Sequence, residues 1–206
     1  MMNMSNRNTF LSTNVQQTYF LLTISIVCFL VGMHIPFSMG IVIGSLIISF
    51  VCLFIMMTTE SPYALFAMAL TMGISQRPMV LYTNMIDSSI IVEALGSTLL
   101  VFIGLTYLAF TTTNYSTFAL YGLLYSGLSS IICISLMNIF FQNTFIELLM
   151  TFFSVMLFSG FIILDTHSLI KNTSRSPVMH AAQLFLDFAN LFVDLVKLLR
   201  DLKKRN

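Results

Sequence analysis

The fold class this sequence predicts is all-α and integral to a membrane, a bundle of seven transmembrane helices. Three observations predict it. The chain has 206 residues, of which 57% are hydrophobic and only 8% charged, whereas a soluble domain carries roughly 25% charge. The apolar residues fall into stretches near the ~20 residues that a spanning helix needs. The segments between those stretches are short, which makes consecutive helices antiparallel neighbours in one bundle.

Seven stretches fit the spanning length or nearly so: 18–37, 39–58, 62–82, 88–110, 117–139, 145–170 and 178–199. Residues 1–17 form a polar N-terminal tail whose only charge is Arg7, and residues 200–206 form a basic C-terminal tail. The tail at the start lacks the basic opening, short apolar run and cleavage site of a removable signal peptide, so the first span is expected to act as the targeting signal. Gly40 and Gly44 make a GxxxG pattern in the second span, suited to close helix contact. Cys28, Cys52 and Cys133 lie in apolar runs and make neither a disulfide framework nor a metal spacing. The fifteen Met suit adaptable core filling. A net charge of +1 gives no basic face for nucleic acid.

Charge placement suggests orientation. The main basic cluster, Lys197, Arg200, Lys203, Lys204 and Arg205, favours a cytosolic C-terminal end. The connection at 171–177, with Lys171 and Arg175, favours the cytosol too. Both segments can be cytosolic only if the seventh helix does not cross fully. Asn-x-Ser sequons at Asn3, Asn114 and Asn172 fall on one side of a seven-span alternation, which fits a cytosolic N-terminus where they stay unmodified.

Against this apolar background two aspartates stand out. Asp165 lies in FSGFIILDTHSLI and Asp187 in HAAQLFLDFANLF. An ionisable group at membrane depth costs at least ~2.5–3.5 kcal/mol on insertion scales, which makes each a functional candidate. The seventh stretch also carries a polar stripe, His180, Gln183, Asp187, Asn190, Asp194, Lys197 and Asp201, at alternating spacings of three and four. Such a helix either lies flat at the interface with its stripe in water or stands in the bundle with the stripe lining a polar interior. If the sixth helix ends near Lys171 and the seventh begins near Val178, the rise of ~1.5 Å per residue puts Asp165 and Asp187 ~9 and ~14 Å below the turn. An antiparallel pair then holds the carboxyls within about one turn of each other. Carboxyls that close share a proton and titrate as a unit. They suit a proton-sensitive latch or a weak calcium site, since calcium takes hard oxygen ligands; Asn190 or Asp194, water and carbonyls would complete it. Glu93, a turn inside the fourth span, is expected to snorkel or hydrogen-bond, and Glu147 sits where a helix start favours an anion.

GFIILDTHSLI and HAAQLFLDFANLF resemble the sixth- and seventh-helix signatures of the Bax inhibitor-1, or transmembrane Bax-inhibitor-motif, family. STNVQQTY, the helix around Glu93 and Gly96, and YSGLSSIICISLMNIFF extend the similarity, which is nearer to the Bax inhibitor-1 branch. The resemblance implies a seven-helix fold with the last helix surrounded by the other six. It implies an endoplasmic reticulum protein that lowers luminal calcium through a pH-sensitive leak and restrains cell death, with the pH-sensing pair at Asp165 and Asp187. The family carries basic residues near the second and third helices that can pair with a latch aspartate; here no Lys or Arg lies between Arg7 and Arg77. The expected partners are the lipid bilayer and survival or channel membrane proteins. No cofactor is expected, calcium being the permeant ion.

Two other functions compete. A non-conducting membrane adaptor that binds survival or channel proteins would need neither aspartate. An intramembrane aspartyl protease would also use two carboxyls sharing a proton, but its Tyr-Asp and Gly-x-Gly-Asp motifs are replaced here by Leu164-Asp165 and Leu186-Asp187, so no enzyme activity is expected.

Overall fold

A computed structural model describes residues 4–36, 38–112, 117–171 and 175–205. The sequons at Asn3, Asn114 and Asn172 lie outside the described residues. Eight α-helices and no strand occur among those described: α1 (Met4–His34), α2 (Met39–Thr59), α3 (Pro62–Ser75), α4 (Arg77–Ile86), α5 (Ser89–Thr111), α6 (Thr117–Phe141), α7 (Thr144–Lys171) and α8 (Pro177–Arg205). Five of them are long and apolar enough to cross a membrane, and the bent pair α3 and α4 makes a sixth span if counted as one. The expected seventh, α8, is not in this set, because Asp187, Asp194, Lys197 and the charges beyond them interrupt its apolar surface.

The predicted third span, 62–82, is two helices that meet at Gln76 with a bend of 42°. Pro78 is the physical reason: its ring nitrogen has no proton for the carbonyl four residues earlier, and it disfavours helical backbone at Arg77. At the chain ends the helices outrun the expected boundaries. α1 starts inside the segment read as a polar tail, and α8 carries the basic cluster on its last turns.

The helix ends have local causes. Pro62 occupies the first turn of α3, where a missing N–H costs nothing. Asn143 caps α7, its Oδ1 accepting from the N–H groups of Phe145 and Ile146 at 2.9 and 3.2 Å. Glu147 follows in the first turn, as expected for an anion at a helix start. Glu60 and Gln142 close α2 and α6 in left-handed backbone, φ 50° and 49°.

The chain divides into two compact units that share α7 and α8. The first comprises Met1–Tyr82 and Ser168–Leu186. Here α3 packs against both α1 and α2. The α1–α3 contact is backbone against backbone: a Cβ on Gly73 would sit 2.1 Å from the Phe29 carbonyl oxygen, and one on Gly32 2.3 Å from that of Leu70. These glycines make the close helix contact expected of Gly40 and Gly44. A Cβ on either of the latter would meet nothing within 4 Å, so the GxxxG pattern makes no close helix contact among the described residues. Phe29, buried beside Met33, meets the ring of Phe185 edge-on at 5.8 Å.

The second unit comprises Thr83–His167 and Asp187–Asn206. Leu124, Leu157, Phe161 and Leu164 form its core between α6 and α7. Gly127 receives the Leu157 side chain and Gly160 that of Leu124, an antiparallel exchange of knobs and holes. Phe102 of α5 meets Phe188 of α8 edge-on at 5.8 Å. Along this part of α8, Phe188, Ala189, Leu191, Phe192 and Val196 have no exposed surface.

Candidate functional site

The site lies in the second unit, where α7 and α8 run side by side. Ile162, Leu164 and Thr166 on α7, and Phe188, Ala189 and Leu191 on α8, are buried. Asp165 and Asp187 are each only 5% exposed, and their carboxyl groups lie close enough to interact. Two carboxylates offer acceptors alone, so a hydrogen bond between them would require a shared proton. Asp187 Oδ2 has no hydrogen-bond partner among the described residues. A buried acceptor left unsatisfied costs free energy, which leaves that oxygen ready to take a donor, a water or a cation.

A second polar contact joins the same helices two turns further along α8. Ser154 Oγ donates to Asp194 Oδ2, and Lys197 Nζ stands 3.8 Å from Asp194 Oδ1. Asp194 is buried, at 7% exposed. Asn190 lies between the two contacts on α8 and, with Asp194, lines a cavity against α6 and α7.

The rest of the stripe has other neighbours. Gln183, in the first unit, accepts from Arg175 Nη1 at 3.0 Å, an exposed contact that ties the 171–177 connection to α8. His180 is buried in that unit. Asp201 pairs with its neighbour Arg200 at 3.4 Å. Arg77 is engaged elsewhere: its Nη1 donates to the carbonyls of Met33 and His34 at 3.2 and 2.9 Å, capping the end of α1. No group of three or more His, Cys, Asp or Glu able to hold a metal occurs among the described residues, so any cation at the pair relies on water and carbonyls.

Two features were not legible in sequence. His167 is buried two residues beyond Asp165, and nothing but its position hints at that. Lys203 reaches the start of α5, where Nζ lies 2.7 Å from Asp87 Oδ2 and 2.9 Å from Glu93 Oε1 and donates to Ser89 Oγ at 2.7 Å. Glu93 is thus exposed and hydrogen-bonded rather than part of the aspartate site. The Asp87 carboxylate also accepts from the Ser89 N–H at 2.8 Å. The Lys203 hydrogen bond first, then Ser89, holds the Asp87 carboxyl down at about 2, and the two acids push the Lys203 ammonium up.

Helices long and apolar enough to span a bilayer, with two buried acids on neighbouring helices, mark this as a helical membrane protein. Comparison with known proteins specifies it further. The family model described as "Inhibitor of apoptosis-promoting Bax1" matches residues 7–205, and the chain belongs to that family. It is 33% identical to protein lifeguard 4 of Mus musculus over 145 residues, 69% of this chain and 59% of that one. It is 28% identical to Bax inhibitor 1 of Drosophila melanogaster over 144 residues, 68% and 59% of the two chains. The Golgi anti-apoptotic protein of vaccinia virus strain Lister is 35% identical over 121 residues, 58% and 50%. The matches span half to three fifths of these relatives' lengths.

Proposed function

We infer that this protein is an endoplasmic reticulum membrane regulator that restrains cell death by acting as a pH-sensitive calcium leak. Asp165 and Asp187 are its gate, and α8 is the central helix of a seven-span bundle with a cytosolic N-terminus. The observation that carries the reading is the burial of the two carboxyls side by side on α7 and α8. A proton held there ties α7 to α8 and cancels one charge. Its loss leaves two like charges in a poorly solvated place, which forces either separation or capture of a cation. The free Oδ2 of Asp187 offers a hard oxygen of the kind that calcium prefers, with water and carbonyls completing the site. Family membership, and relatives whose names describe them as Bax inhibitors or anti-apoptotic, support the cell-death role.

The test is calcium flux in liposomes holding the purified chain, between pH 6 and 8. Asp165→Asn and Asp187→Asn each remove one titrating group while keeping shape, and each is expected to flatten the pH response. Flux and pH response unchanged in both variants would falsify the gate. Cell protection that persists without both aspartates would favour the non-conducting adaptor.

A further inference from the structure

Beyond the gate, α8 ends in a contact that fixes it to α5. Lys203 lies sixteen residues past Asp187 on the same helix, ~24 Å along its axis. Its ammonium has three N–H donors, and three oxygens receive them: Asp87 Oδ2 at 2.7 Å, Ser89 Oγ at 2.7 Å and Glu93 Oε1 at 2.9 Å. Those oxygens are themselves tied together. Ser89 Oγ donates to Glu93 Oε1 at 2.6 Å, and the Ser89 N–H donates to Asp87 Oδ1 at 2.8 Å. The start of α5 is thus a cradle shaped for one ammonium, and Lys203 fills it. The hydrogen bond between Asp87 and Lys203 holds the carboxyl down at about 2 and the ammonium up, so this contact keeps its charges across the pH range of the flux experiment.

Within the second unit polar side chains hold α8 at three levels: Asp187 beside Asp165, Asp194 on Ser154, and Lys203 on Asp87, Ser89 and Glu93. The first two face α7; the third faces α5. A shared proton governs the first, whereas dissolved salt governs the third. The side chains of Asp87, Glu93 and Lys203 are 39, 45 and 32% exposed, and the Debye length around exposed charges falls from ~30 Å at about 0.01 M salt to ~3 Å at about 1 M. The helix is continuous from Pro177 to Arg205, so a swing of α8 at Asp187 carries its last turns along and pulls on the Lys203 contact. We propose that the Lys203 cradle is a restraint on the gate, opposing the parting of Asp165 and Asp187, and that salt loosens it and so raises the leak. This rests on the reading of the pair as a gate and adds to it a second control that is independent of the proton.

The experiment measures calcium flux at neutral pH in liposomes holding the full chain, with potassium chloride at about 0.01 M or about 1 M on both faces. The parent chain is expected to leak about two- to fivefold faster in high salt, the range that an exposed ion pair supplies. Lys203→Ala should leak at the fast rate in both salts. A charge exchange, Lys203→Asp with Asp87→Lys, should restore part of the slow rate in low salt, which a merely structural role would not do. Circular dichroism of each variant checks that helix content is intact. Asp187→Asn, run alongside, separates the two readings. A pH response that persists in Asp187→Asn removes the gate and this proposal with it. A flat pH response in Asp187→Asn, with Lys203→Ala leaking as the parent does in both salts, overturns the restraint alone. So does a fast rate that the charge exchange leaves unchanged.

Discussion

Ser154 and Asp194 show what a buried charge requires in this chain. Asp194 is buried away from water, and the Ser154 hydroxyl with the Lys197 ammonium compensate it. Ser154→Ala removes a hydrogen bond while leaving the acid buried, and an unsatisfied buried acceptor costs about 1–3 kcal/mol. Thermal unfolding in detergent should show that loss, and Ser154→Thr, which keeps the hydroxyl, should recover part of it. Equal stability of Ser154→Ala and the parent chain would mean the contact holds nothing. The aspartates themselves were legible in sequence because an intramembrane acid is costly enough to be noticed, and antiparallel depth counting pairs them. Asp194 was legible only as part of a stripe. Its partner lies 40 residues away, on a helix face that periodicity alone does not choose.

Among the elements, the glycines separate packing from pattern. Gly40 and Gly44 have the spacing of a contact motif and open space around them; Gly32 and Gly73 have no motif and touch backbone. Spacing defines a face but does not say what lies opposite it. Gly73→Ala and Gly32→Ala must push α1 and α3 apart, with an expected cost of about 1–3 kcal/mol for overpacking. Gly40→Ala and Gly44→Ala should stay within about 0.5 kcal/mol, as surface changes do. Melting temperatures of the four variants in one detergent test this, and a loss confined to the Gly40 and Gly44 pair would reverse the assignment. The spans themselves were readable because long apolar runs have few other uses. The break at Gln76 was not, because Pro78 sits inside a run that hydropathy counts as continuous.

At the scale of the whole molecule, sequence distance hides the clamp at Lys203, whose partner Asp87 is 116 residues away. Exposed ion pairs add little to global stability, so the role expected here is local: it pins the last turns of α8 to the start of α5. Asp87 falls from its ordinary 3.8 to about 2. Its contribution is therefore complete above about pH 4 and lost as the pH falls toward 2. Lys203 is raised above its ordinary 10.5, so its contribution is complete below that value and lost at still higher pH. Amide exchange in residues 200–205 should be slow across the window between and faster outside it. Lys203→Ala should speed it at neutral pH with little change in melting temperature. Exchange unaffected by Lys203→Ala would remove the clamp from the account.

The central claim is that one proton shared by Asp165 and Asp187 controls a cation path. The most direct measurement is infrared difference spectroscopy of the protonated carboxyl band, made on the same proteoliposomes and over the same pH steps as calcium flux. The account predicts a single carboxyl titration that coincides with the change in flux and disappears, with the pH response, in Asp187→Asn. A carboxyl band absent across the range, or a titration unchanged in Asp187→Asn while flux still responds to pH, would contradict it.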